Sequence, residues 1–132
     1  PVRTGKQLDE AVLLLIDQEY DSLLSVVPSH AFLWWQRKPD VPWASYNFEN
    51  RPRRQELLQG AMRPTQFEEN GSIYVFTKKH WDRHRNRLGG DIGLYVMDES
   101  SRIQIDTPLD LALCDWLLRT QGYATPPEEH RA

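Results

Sequence analysis

Two neighbouring segments restrict the fold more than any others. Leu8, Ala11, Val12, Leu15 and Ile16 recur at the spacing of one helical face, and the run SLLSVV (22–27) follows closely. That run is short, ends on two β-branched residues and is closed by Pro28, so it reads as a buried strand. A helix handed on to such a strand is half of an α/β unit, and strands of this kind are usually covered on both faces. Thr4 and Gln7 are spaced for a capping box that starts the helix, which is expected to end near Glu19.

From 28 to 64 the periodicity dissolves. Prolines at 28, 39, 42, 52 and 64 break any long element, yet Trp34, Trp35, Trp43, Tyr46 and Phe48 crowd into the same stretch. Long loops inside compact domains are usually functional or disordered, and so many aromatic residues argue against disorder. The segment reads as an excursion that needs a surface to pack on. Order returns at ENGSIYVF (69–76), with a turn at Asn70 and Gly71 and then a strand. A short basic helix over 78–88 is stopped by Gly89 and Gly90. A strand over 93–98 and a short further strand over 102–105 come next. Thr107 then caps a last helix with Pro108 at its first position, its apolar face made of Leu109, Ala112, Leu113, Trp116 and Leu117. Residues 125–132 read as a flexible polar tail.

Length and composition narrow the classes. A chain of 132 residues reads as a single domain, and 39% hydrophobic with 27% charged residues is ordinary for a soluble protein. A net charge of -3 speaks against nucleic-acid binding as the main activity. Apolar runs such as AVLLLI (11–16) are too short for a bilayer, and the expectation is a chain without a signal peptide. One cysteine, Cys114, excludes an internal disulfide and fits a reducing cytoplasm; on its helix it reads as a small core residue. The sequence opens on Pro1 without an initiator methionine, so the expectation is a removed tag or a longer gene product.

Three groups of residues invite chemistry. Asp106 and Asp110 lie four apart in IDTPLD. Asp110, at the third helical position, reads as a cap that accepts free backbone N–H groups. Asp106 sits just before the cap, at the carboxyl end of the expected strand, where ligands bind open α/β sheets. A single Asp there suits Mg²⁺ that bridges substrate phosphates, since that ion keeps several waters. RPRRQE (51–56), with Arg63 beyond, is either an anion site or a solvated basic loop. His80 and His84 have a metal-ligand spacing, but Lys78, Lys79, Arg83, Arg85 and Arg87 surround them and oppose a dication.

Taken in order, PVRT (1–4), SVVPSHAFLWW (25–35), RRQE (53–56), ENGSIYVF and IQIDTPLDLALCDWLL resemble the acylneuraminate cytidylyltransferase family, in its C-terminal half. The resemblance implies an α/β, partial Rossmann-like sheet of the nucleotide-diphospho-sugar transferase type, with flanking helices and a protruding dimerisation loop. It implies a transferase that joins CTP to a sialic acid or related sugar acid to give a CMP-sugar, with Mg²⁺, as a homodimer. Residue by residue, Asp106 matches a catalytic, metal-binding aspartate. Arg54 and Gln55 match the segment near the acidic sugar, and Asn70 and Tyr74 match the strand beside the sugar pocket. Residues 28–64 would be the dimer arm. Where the family has Asp-x-Asp this chain has Gln104-Ile105-Asp106, one carboxylate fewer, and Leu57 is followed by Leu58 where the family has Leu-Pro. The family's nucleotide-holding N-terminal half would precede Pro1. Three readings stay open: a cytidylyltransferase or part of one, a non-catalytic truncated module that dimerises and binds an acidic ligand, and an anion-binding accessory domain.

Overall fold

A computed structural model describes residues 3–37, 41–54, 56 and 66–120. In chain order its elements are α1 (Gly5–Asp17), β1 (Ser22–Pro28), β2 (Trp34–Arg37), β3 (Val41–Ala44), β4 (Phe67–Phe76), α2 (Lys78–His84), β5 (Ile92–Val96), a 3-10 turn (Glu99–Arg102) and α3 (Pro108–Thr120). The chain divides into two compact units, Pro1–Val27 with Glu69–Ala132, and Pro28–Glu68.

The first unit is built as the helix-then-strand pattern predicts. Thr4 Oγ1 accepts from Gln7 N at 3.3 Å while Gln7 Oε1 accepts from Thr4 N at 2.9 Å, closing the capping box of α1. Strand β1 lies between β4 and β5 in a three-stranded sheet. It runs parallel to β5, with Ser22 opposite Ile92 and Val26 opposite Val96. Thr77 N–H donates to Asp21 O at 3.0 Å, so β4 ends where β1 begins and the sheet is mixed. Being central, β1 is buried from Ser22 to Val27. Ala11 and Leu15 of α1 meet Leu23, Val27, Ile73 and Met97 in the core. Full burial of side chains such as Leu23 and Val27 stabilises by about 1.5–3 kcal/mol each. This α/β arrangement with flanking helices is compatible with a Rossmann-like fold.

The second unit corrects the expectation of an unpatterned stretch. Strands β2 and β3 pair antiparallel, with Trp34 opposite Ala44 and Trp35 opposite Trp43. Each strand has four residues, too few for alternation to emerge from the sequence. Pro42 is tolerated because both strands of a two-stranded sheet are edges. Trp35 and Trp43 rings sit 4.8 Å apart across the pair, a contact worth about 0.5–1.5 kcal/mol beyond its buried area. Residues 38–40, 55 and 57–65, with Gln55, Arg63 and Pro64, lie outside the described residues, as does the tail 125–132.

Four further expectations change. Asn70 and Gly71 do not turn the chain: β4 starts at Phe67 and runs through them, with Gly71 at φ +62° inside the strand. Helix α2 stops at His84 rather than at the glycines, closed by Arg85 in the left-handed region, whose N–H returns to Trp81 O at 2.9 Å. Residues 102–105 are not a strand. The 3-10 turn occupies Glu99–Arg102, closed by Ser101 N–H to Asp98 O at 2.9 Å, and an unpaired extended segment follows. Asp106 therefore does not sit at the end of a strand. Finally, α3 buries Cys114 and Leu117, while Leu109, Ala112, Leu113 and Trp116 are exposed. The helix has turned its inward strip to a neighbouring face, keeping Cys114 in the core role expected of it.

Candidate functional site

In the first unit the segment after the 3-10 turn and the kinked middle of β4 enclose a recess of about 230 Å³. Arg3, Gly71, Ser72, Ser101, Gln104 and Asp106 line it, with Asn70 in its wall. The wall is held by one buried amide. Asn70 is 3% exposed. Its Oδ1 accepts from Ser25 Oγ at 2.6 Å and from Ser72 N at 3.3 Å. Its Nδ2 donates to Ser101 O at 3.0 Å and to Met97 Sδ at 3.4 Å. Ser25 Oγ also accepts from Ile73 N at 2.8 Å. An amide side chain has two donor and two acceptor positions, and all four are engaged here. Asn70 thus ties β1, β4 and the 3-10 turn together and presents no free group to a ligand.

Gly71 shapes the rim. A Cβ there would lie 2.6 Å from Gln104 Oε1, so the bare Cα lets the Gln104 side chain cross the strand. Gln104 Nε2 reaches Glu69 O at 3.5 Å.

The two acids of IDTPLD part company. Asp110 Oδ2 accepts from Thr107 N at 2.8 Å, Thr107 Oγ1 at 2.8 Å and Asp106 N at 3.2 Å. Thr107 Oγ1 in turn accepts from Asp110 N at 3.3 Å. The Thr107 hydroxyl, then its N–H, hold the Asp110 carboxyl below its ordinary range. Asp110 is the cap of α3, as its position predicted. Asp106 gives its backbone N–H to that cap, but among the described residues its own carboxylate accepts no hydrogen bond and pairs with no cation. It is exposed and lines the recess.

The remaining candidates are placed apart from this recess or in the other unit. Tyr74 does not line it: its hydroxyl bonds the Glu69 carboxylate, and the Arg87 guanidinium lies 3.9 Å over its ring. Arg54 belongs to the second unit, exposed, with its guanidinium carbon 5.7 Å from the Phe32 ring centroid; Arg51 lies nearer, at 4.3 Å. Gln55 lies outside the described residues. His80 is buried and tilts against His84 at 4.9 Å. Among the described residues no three His, Cys, Asp or Glu side chains gather to hold a metal. The recess would give Mg²⁺ one free carboxylate, Asp106. That fits an ion that retains water and takes its other ligands from a phosphate-bearing substrate, and it does not fit a closed protein cage.

Sequence reading passed over Arg3 as a site residue. Its Nη1 donates to Ser72 O at 2.5 Å, across 69 positions of sequence. No local signal marks such a contact, which only the folded sheet creates. The hydroxyls of Ser72 and Ser101 are enclosed and without a hydrogen-bond partner among the described residues.

Fold and recess together define an α/β protein with a small polar cleft that carries one free carboxylate and one guanidinium. No family model matches the chain. Its sequence is 32% identical over 120 residues to N-acylneuraminate cytidylyltransferase B of Danio rerio, covering 88% of this chain and 27% of that protein. It is 25% identical over 127 residues to post-translational flagellin modification protein B of Campylobacter coli, covering 92% of this chain and 50% of that one. Over a shorter stretch of 55 residues, 42% of this chain and 23% of the relative, it is 34% identical to CMP-N,N'-diacetyllegionaminic acid synthase of Campylobacter jejuni. The resemblance to the acylneuraminate cytidylyltransferases holds over most of the chain, which spans only a small part of those relatives.

Proposed function

We propose that this chain serves a cytidylyltransferase that joins CTP to a sialic-acid-like sugar acid, giving a CMP-sugar and pyrophosphate. The observation that carries the reading is the unpartnered Asp106 carboxylate in a polar recess, on a chain similar over 88% of its length to an N-acylneuraminate cytidylyltransferase. In this reading Asp106 is the protein's contact for a phosphate-bound Mg²⁺, whose chemistry when bound is to neutralise phosphate charge. Arg54 and Gln55 serve the acidic sugar, Tyr74 flanks it, and Asn70 acts by fixing the strand that carries Ser72. The reading includes a homodimer. The β2–β3 hairpin leaves Trp34 50%, Trp35 43% and Trp43 54% exposed, and aromatic residues of this kind favour interfaces. It also includes a cytoplasmic setting; no described helix is long and apolar enough to cross a membrane.

A second reading, a non-catalytic module that dimerises and binds an acidic ligand, is favoured by one fact: the chain spans 27% of its Danio rerio relative. Incubation of the purified chain with CTP, Mg²⁺ and N-acetylneuraminic acid separates the two. Pyrophosphate release that Asp106→Ala abolishes supports the transferase. No release from the wild-type chain rejects self-sufficient catalysis and leaves the module.

A further inference from the structure

We infer that Arg3 supplies a grip on the substrate's carboxylate in the recess, in addition to the service of Arg54 and Gln55 to the acidic sugar, an inference that rests on the sugar-acid reading above. Arg3 and Asp106 line the same recess. A guanidinium has five N–H donors, and Arg3 engages Nη1 with Ser72 O at 2.5 Å. Among the described residues no carboxylate pairs with it. The edge formed by Nε and Nη2 is thus left as a two-donor fork, the geometry that matches a carboxylate bidentately.

The fork is held in place. Both backbone polar groups of Ser72 are engaged, its N–H by Asn70 Oδ1 at 3.3 Å and its carbonyl by Arg3. Asn70 is anchored in turn to Ser25 and Ser101. A buried network therefore sets the position of an exposed cation, which lowers the ordering required when an anion arrives.

Charge and size define the ligand. A guanidinium with no carboxylate partner in a polar recess suits a molecule that brings a carboxylate to Arg3, while Asp106, not bonded to Arg3, keeps its carboxylate for the phosphate-bound Mg²⁺ of the reading above. At about 230 Å³ the recess lies below the usual range of about 300–1,000 Å³ for drug-sized ligands. It takes one ring-sized group, and a hydroxylated sugar acid meets every requirement.

Calorimetry of the purified chain with N-acetylneuraminic acid and with its methyl ester tests this, using the wild type, Arg3→Gln and Arg3→Lys. Wild type is expected to bind the acid at least tenfold more tightly than the ester. Arg3→Gln should lower the acid to the level of the ester and leave the ester unchanged, and Arg3→Lys should recover only part of the difference. Equal binding of the acid by wild type and Arg3→Gln would overturn the role of Arg3 and leave the sugar-acid reading standing. A wild-type chain that binds neither compound would overturn both. Should the variants fail to fold, phenylglyoxal labelling of the wild type decides: the acid, and not the ester, should shield Arg3 from modification. Labelling of Arg3 unchanged at saturating acid would overturn the inference.

Discussion

Ser25 and Asn70, 45 residues apart in the chain, share a 2.6 Å hydrogen bond in the buried centre of the sheet. The serine interrupts the apolar run from Leu23 to Val27, and the asparagine sits beside a glycine where a turn would ordinarily be read. Each explains the other. Ser25 is 1% and Asn70 3% exposed, so neither can turn to water if its partner is lost. Asn70→Ala leaves Ser25 Oγ without its acceptor and Ser101 O without its side-chain donor. We expect it to destabilise the chain by about 1–3 kcal/mol, the penalty for buried polar groups left unpaired. Urea unfolding should show this as a lower midpoint with an unchanged slope. A midpoint equal to that of the wild type would show the network to be idle.

How far the sequence disclosed this site depends on the range of each signal. The capping pairs Thr4 with Gln7 and Thr107 with Asp110 were legible because three residues suffice to define them. So was the buried strand at β1, whose composition states its burial. The β2–β3 hairpin was hidden because four-residue strands carry no measurable period and a proline stands in one of them. Asp106 was singled out by motif, but its supposed strand is not there: two alternations in RIQI do not make a strand without a neighbour to pair with. Arg3 and Ser72 lie in two of the segments that carry the resemblance, but nothing in the sequence marks their contact, which exists only once β4 lies beside the start of α1. The inward face of α3 was misread because its apolar residues outnumber the places available to bury them.

Gly71 holds a left-handed φ of +62° in mid-strand, and Gln104 lies over it. Gly71→Ala combines a conformation that costs an L-residue roughly 1–2 kcal/mol with a Cβ placed 2.6 Å from Gln104 Oε1. The Gln104 end is flexible and can swing away, so the strain is chiefly in the backbone. The expected result is a folded protein, less stable by about 1–2 kcal/mol, with the rim of the recess displaced. Thermal unfolding measures the first. The amide resonances of Gln104 and its neighbours report the second, and spectra identical to those of the wild type would refute the displacement.

The α3 cap makes stability depend on acid. The Asp110 carboxyl lies below its ordinary 3.8, held first by the Thr107 hydroxyl and then by the Thr107 N–H. A carboxyl depressed on folding contributes stability that is present above its unfolded value and is lost as pH falls through the lower folded value. Asp110→Asn should therefore be less stable than wild type at neutral pH, with the gap closing as pH drops below about 3.8. Thr107→Ala removes the reciprocal cap and should cost about 1 kcal/mol. Urea midpoints from pH 2 to 7 (roughly the window that carboxyl titration opens) test both. A gap that persists undiminished at the acid end would assign the stabilisation to shape rather than to charge.

Tyr95 and Glu10 join β5 to α1 through a 2.6 Å hydrogen bond spanning 85 positions of sequence. Burial, and then the Glu10 carboxylate, push the Tyr95 hydroxyl up from 10.0 to about 12. The same bond, ahead of Lys6, holds Glu10 below its ordinary 4.5. For Tyr95, whose proton is bound more tightly in the folded state, the stabilisation is complete below pH 10.0 and disappears as pH rises through about 12. For Glu10 the sign reverses: stabilisation is present above 4.5 and fades as pH falls through its lower folded value. The link should be strongest between these limits. Ultraviolet titration of the folded wild type is expected to show a tyrosinate step near pH 12 that is absent from Tyr95→Phe. Because Tyr95 neighbours Val96 and Met97 at the end of β5, and Met97 Sδ receives the Asn70 amide at 3.4 Å, loosening the link should also weaken the wall of the recess. Hydrogen exchange at Met97 N–H, which donates to Val26 O at 2.8 Å, should therefore quicken in Tyr95→Phe at pH 7. Exchange there at the wild-type rate would confine the effect of Tyr95 to the helix it touches.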